Sequence, residues 1–213
     1  MAAAILEGRD LGLARGVKQL FSGLSFAVGS GQALVLRGPN GVGKTSLLRV
    51  LAGLTEADTG EVWVGAMRTQ ALSAAGRSAM LYTGHANALK DEFTGAENLA
   101  DQLALDANPA GIEQQFEALR AVGLFERRDV LTRRLSQGQK RRIGLARLHL
   151  SRGVQKPVWL LDEPTNALDA AGSALFVQIV DAHLAEGGLA VIATHLPMAL
   201  SGKVDEMHMR ELV

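Results

Sequence analysis

Apolar positions fall along this 213-residue chain in two alternating rhythms. Short runs rich in leucine and β-branched residues, Ala33-Leu34-Val35-Leu36, Val158-Trp159-Leu160-Leu161 and Leu189-Ala190-Val191-Ile192-Ala193, read as strands buried on both faces. Between them lie stretches with apolar residues three and four apart. That alternation predicts an α/β fold, a mostly parallel sheet covered by helices. Each of the three runs ends in polar or glycine-rich residues. In open α/β sheets the ligand lies beyond the carboxyl ends of the strands, so the three polar ends are expected to meet.

Two regions depart from this rhythm. Residues up to about Val28, with Gly60-Glu61-Val62-Trp63-Val64, read as short strands and turns forming an N-terminal antiparallel layer. Residues from about Asn87 to Leu135 read as helical throughout, which predicts a helical subdomain (87–135) inserted within one domain spanning 1–213. Thr94-Gly95-Ala96-Glu97 has the form of a capping box. Ile112, Phe116, Leu119 and Val122 trace one apolar face that stops at Gly123, and Asn108-Pro109-Ala110-Gly111 marks a turn before it.

Composition narrows the function classes. Lys plus Arg and Asp plus Glu number 22 each, so the net charge is zero, without the basic excess of a free nucleic-acid binder. No cysteine is present, which excludes disulfides, thiolate catalysis and Cys-based metal sites. The opening residues lack a basic region and Glu7 interrupts their apolar run, so no signal peptide is expected. No apolar run approaches the roughly 18 residues needed to span a bilayer, and any membrane role would need another subunit to supply the channel.

Chemistry concentrates at the strand ends. Gly38-Pro39-Asn40-Gly41-Val42-Gly43-Lys44-Thr45 matches the phosphate-loop pattern, set between a buried strand and a helical run from Ser46 to Leu51. Glycines let backbone N–H groups turn inward around a polyphosphate, and the helix start adds its positive dipole. Lys44 should reach the β- and γ-phosphates and the Thr45 hydroxyl should bind Mg²⁺. Asp162, at the end of the second strand, can support that metal, and the adjacent Glu163 is a candidate general base for an attacking water. Leu135-Ser136-Gln137-Gly138-Gln139 precedes a helix through Ile143, Ala146 and Leu150, with Ser136 as its N-cap. Lys140-Arg141-Arg142 on that helix covers a broad polar surface, and such runs are usually solvated rather than bound to nucleic acid. His208, between Met207 and Met209, reads as part of a solvated tail after the last strand.

Taken in order, the phosphate loop, LSQGQ, WLLDEP, Ala167-Leu168-Asp169 and Thr194-His195 resemble the motif set of ABC ATPases over nearly the whole chain. The resemblance implies that Gly38 to Ser46 bind ATP and that Thr45 and Asp162 serve Mg²⁺. It makes Glu163, His195 and Lys44 the catalytic groups, with His195 as the switch histidine near the γ-phosphate, and it puts Asp169 in the loop joining two sites. It also implies that Ser136, Gln137, Gly138 and Gln139 act in trans, on ATP held by a second copy or a related subunit. Two positions depart from that pattern. Arg15 stands near where the family offers an aromatic ring to adenine, and its guanidinium plane could stack there instead. His85 stands where a glutamine normally contacts both metal and membrane subunit, and an imidazole does not copy an amide's reach.

Gly84-His85, with Lys90, Thr94 and Glu97-Asn98-Leu99, is similar to the ATP-binding subunits of cytochrome c maturation (haem exporter) complexes, as are Leu20 to Phe26, Gly138 to Arg142 and the Trp159 strand. Those subunits carry a glutamine after the Gly-His pair, where this chain has Ala86. This resemblance implies a peripheral protein on the cytoplasmic face of a bacterial inner membrane, bound to integral membrane subunits, with no direct haem binding and no nucleic-acid partner. The alternatives are the ATPase of another ABC transporter, a soluble ABC ATPase acting on ribosomes or DNA, or a small-molecule kinase with a phosphate loop. LSQGQ and Asp162-Glu163 argue against the kinase.

Overall fold

The computed structural model describes residues 5–69, 79–84, 86–153 and 156–210. Strands β1 (Ile5–Arg15), β2 (Lys18–Gly29), β4 (Thr59–Val64) and β5 (Met67–Arg68) form one antiparallel sheet in the order β2-β1-β4-β5. A second sheet is parallel throughout. It orders β6 (Met80–Thr83), β7 (Val158–Asp162), β8 (Leu189–Ala193), β3 (Gln32–Arg37) and β9 (Lys203–His208) as β6-β7-β8-β3-β9.

Strand periodicity sorts the parallel sheet's side chains between two cores. Leu34, Leu36, Leu160 and Val191 point to the face that packs against the antiparallel sheet and against α1 (Lys44–Leu51), through Leu47, Leu48 and Leu51. Their neighbours Ala33, Trp159, Leu161, Ala190 and Ile192 point the other way. There they meet α2 (Gly95–Leu105), α4 (Gln137–Leu150) and α5 (Ala170–Ala185). Every residue of β7 and β8 is buried, as strands covered on both faces require.

The region expected to be helical throughout is only partly so. It contains α2 and α3 (Ile112–Ala121), then 3₁₀ turns at Phe125–Arg127 and Thr132–Arg134. Residues 87–94 are irregular because side chains take over the backbone's hydrogen bonds there. The buried Asn98 amide accepts from Lys90 N–H (2.8 Å) and donates to Lys90 O (3.0 Å) and Thr132 Oγ1 (2.8 Å). The Thr94–Glu97 capping box is present, and Gly123 ends α3 with φ +69°. Ile112 does not share the apolar face of Leu119 and Val122; it is 56% exposed, at the first position of α3.

The residues after β8 are not a solvated tail. Met207 and His208 belong to β9, Met209 N–H donates to Arg37 O (2.8 Å), and the Met209 side chain is buried. The His208 side chain itself is exposed. Lys140-Arg141-Arg142 is not a solvated surface either. Arg141 is 5% exposed, Lys140 pairs with Asp91 and Arg142 pairs with Asp169. Arg141 is buried because the turn at Asp162 to Pro164 covers it and pairs its guanidinium with backbone carbonyls.

His183 of α5 is fully buried, its ring stacked on Trp159 with centroids 3.7 Å apart. Nδ1 accepts from Gly153 N–H (3.0 Å), so the proton sits on Nε2, which donates to Leu189 O (3.2 Å). Burial pulls this imidazole from its usual 6.5 down to about 4. Between those pH values the unfolded chain takes up a proton that the folded chain refuses. The histidine's contribution is therefore intact above pH 6.5 and falls away as pH drops toward 4. Denaturant unfolding at pH 7.5 and pH 5 should show the wild type losing about 2 kcal/mol more between them than His183→Gln. Equal losses would remove His183 as the source.

Candidate nucleotide site

The loop from Gly38 to Gly43 leaves β3 and enters α1. Gly38 has φ +142°, and a Cβ there would lie 2.5 Å from Met209 O, so only glycine fits between the loop and the C-terminal strand. Val42 anchors the loop from below, 1% exposed in the core. Helix α1 begins at Lys44, two residues before the expected start, which brings Lys44 and Thr45 into its first turn. Its N-cap, Gly43, makes no side-chain cap, and no acid lies in the first turn. The first N–H groups and the dipole's positive end are thus available to an anion. Lys44 Nζ donates to Gly38 O (2.7 Å) and Pro39 O (3.0 Å), which holds the ammonium against the loop with a third donor to spare.

Across the loop, β7 ends in Asp162, 1% exposed, whose Oδ2 accepts from Thr45 Oγ1 at 2.8 Å. One hydroxyl and one carboxylate are hard oxygen donors, too few for an all-protein cage. That set suits Mg²⁺, which keeps waters and phosphate oxygens as its other ligands. Glu163 follows with φ +47°, a left-handed conformation uncommon for a non-glycine residue, fastened by its N–H to Ala193 O (2.8 Å). Its Oε2 lies 3.0 Å from His195 Nδ1. An ionised carboxylate only accepts, so Nδ1 carries a proton in that pair and Nε2 is left for another partner.

These groups line one cleft of about 400 Å³. Asn40, Gly41, Gly43, Lys44, Thr45 and Ser46 form one wall, with Asp162, Glu163 and His195 opposite. Arg15, exposed at the β1–β2 turn, also lines it, beside the buried Leu20. Sequence reasoning missed Leu20 and Asn166, which line the same cleft. The spacing of Asn166 after Asp162-Glu163 could have flagged it; nothing local marks Leu20. His85 lies outside the described residues.

The LSQGQ segment sits elsewhere. Ser136 is the N-cap of α4, accepting from Gln139 N–H (3.2 Å) while Gln139 Oε1 accepts from Ser136 N–H (2.9 Å). Ser136, Gly138, Gln139 and Asp169 line a separate open cleft of about 390 Å³. A Cβ on Gly138 would stand 2.9 Å from Ala167 O. Gln137 is exposed at the head of the helix. Asp169 caps α5 by accepting from Gly172 N–H (2.8 Å) and pairs with Arg142 (2.9 Å), and that backbone bond holds its carboxyl below the usual range. Among the described residues the two clefts share no lining residue.

Residues 21–166 match the model of a family described as ABC transporter. The cytochrome c biogenesis ATP-binding export protein CcmA of Nitrosomonas europaea is 41% identical over 197 residues, covering 92% of this chain and 91% of that protein. The protein of the same name from Albidiferax ferrireducens is 43% identical over 190 residues, covering 89% of each chain. A putative ABC transporter ATP-binding protein from Pyrococcus furiosus shares the fold, with a TM-score of 0.82 at 21% identity over 96% of this chain and 97% of that one. So does a bacterial ABC transporter cassette solved as a dimer, with a TM-score of 0.75 at 20% identity over 90% and 88% of the two chains. With the family match extending over more than half its length, the chain belongs to the ABC transporter ATP-binding family.

Proposed function

We propose that this chain is the ATP-hydrolysing subunit of a membrane export complex serving cytochrome c biogenesis. It binds integral membrane subunits at the cytoplasmic face of a bacterial inner membrane. Its turnover drives haem export or the release of a haem-loaded chaperone, without haem touching this chain. The identity of 41–43% to proteins named for cytochrome c biogenesis ATP-binding export, over about nine-tenths of their length, supports the export role. Among the described residues no helix is long and apolar enough to cross a membrane, so the translocating path is assigned to the partner subunits.

The observation that carries the chemistry is the pair of hydrogen bonds Thr45–Asp162 and Glu163–His195 facing each other across the phosphate loop. The triphosphate lies along Gly38 to Ser46, its charge balanced by Lys44 and the α1 terminus. Thr45 and Asp162 would hold Mg²⁺, which when bound would neutralise developing charge on the phosphates. Glu163 accepts a proton from a water whose oxygen attacks the γ-phosphorus as the bond to the bridging oxygen breaks. His195 orients the Glu163 carboxylate and presents Nε2 toward the γ-phosphate. Arg15 stacks on the adenine, with Leu20 packing beside it. Ser136 to Gln139 of a second copy close over that ATP, and Asp169 links the two sites. His85 is assigned to the coupling contact with the membrane subunit, within a single 1–213 cassette whose 87–135 segment is the helical subdomain.

Replacing Glu163 with Gln should lower kcat by about 100-fold or more while leaving ATP affinity within about twofold. Near-normal phosphate release by this variant would sink the assignment. Lys44→Ala removes a charged donor and should weaken nucleotide binding by about tenfold or more in calorimetry.

The trans arrangement has its own test. Gly138→Asp puts bulk and negative charge beside Ala167, and this variant and Lys44→Ala should each be nearly inactive alone. Mixed together, they form dimers in which one site unites an intact phosphate loop with an intact LSQGQ segment, so activity returns. A mixture no more active than its components would overturn action in trans.

A further inference from the structure

We propose that Arg141 is a positioning residue for hydrolysis, its guanidinium fixing the backbone turn that presents Glu163 and tying that turn to residues 87–88. This rests on the reading of Glu163 as the base. Arg141 lies inside α4 and does not line the nucleotide cleft, so it acts through the turn. Nε donates to Pro164 O (2.9 Å), and Nη2 donates to Glu163 O and to Asp162 O (3.3 Å). Three successive carbonyls of the catalytic turn are thus gathered on one buried cation. Such charge-assisted bonds are about twice as strong as neutral ones.

The turn needs that support. Glu163 at φ +47° persists only where its surroundings over-determine it. Its N–H is fixed by Ala193 O, its carbonyl by Arg141 and its carboxylate by His195. The fourth link runs outward. Arg141 Nη1 donates to Asn87 Oδ1 (3.0 Å), and Gln102 Nε2 of α2, itself 7% exposed, donates to Asn87 O (3.2 Å) and Ala88 O (3.4 Å). A chain of hydrogen bonds therefore joins α2 to the backbone of Glu163 through one guanidinium. Lysine has neither the planar fork nor the reach to serve three carbonyls and an amide together.

The test compares kcat and nucleotide affinity of this chain with those of Glu163→Gln, Arg141→Lys, Arg141→Gln, Asn87→Ala and the Glu163→Gln/Arg141→Gln double variant. Both Arg141 variants should lose about tenfold or more in kcat, with nucleotide Kd within about twofold, the signature of a displaced base. Asn87→Ala, which removes one outer contact, should lose about threefold in kcat. The double variant should be no slower than Glu163→Gln alone, since the lost geometry no longer matters once the base is gone.

Wild-type kcat in a folded Arg141 variant, beside an inactive Glu163→Gln, overturns the proposal alone, as does a loss confined to affinity. If the Arg141 variants do not fold, Asn87→Ala decides, and an unchanged kcat there overturns it. Full turnover by Glu163→Gln overturns the reading of Glu163, and this proposal with it.

Discussion

The site depends on strands ending level. β3 and β7 are separated by β8, and the parallel register sets Asp162 beside Ala193 and Ala193 beside Leu36. Two residues after Leu36 the phosphate loop begins, and one residue after Asp162 the Glu163 turn begins. The Thr45–Asp162 bond at 2.8 Å is possible only because those endpoints coincide across three strands. A slip of one residue in any of them would send its side chains to the opposite face and withdraw the carboxylate. The fully buried character of β7 and β8 is thus as much a condition for the chemistry as the polar residues that follow them.

Much of this was legible because local and global signals agree. The three apolar runs became the three central strands, and the phosphate loop lies between strand and helix as its pattern requires. The capping boxes at Thr94 and Ser136 formed because a hydroxyl and an amide or carboxylate three residues apart satisfy orphan N–H groups with no help from the fold. Features that failed to show themselves depend on distant partners. Arg141 looks like any arginine in a basic run, and only the approach of the Pro164 loop, 23 residues along the chain, makes it a buried hub. Asn98 likewise looks helical, yet its amide holds residues 90–94 out of the helix. β9 hid because an exposed edge strand, with charged Asp205 and Glu206, lacks the apolar continuity of its neighbours.

The two clefts differ in chemistry. The one along the phosphate loop collects a lysine, a hydroxyl–carboxylate pair and a carboxylate–imidazole pair, while the second offers a helix start, a serine hydroxyl and a close-packed glycine. Arg142 and Asp169 bridge α4 to the segment between β7 and α5, so the second cleft is braced from the loop that follows Glu163.

The contact between Gly38 and Met209 ties two segments that lie far apart along the chain. Gly38 approaches the Met209 carbonyl so closely that no side chain could intervene, and Met209 N–H bonds back to Arg37. The phosphate loop is thereby seated on the segment that follows β9, an edge strand paired with β3. Fraying of that edge would withdraw the surface on which the loop rests, so the loop's shape is no more durable than the pairing of β3 with β9.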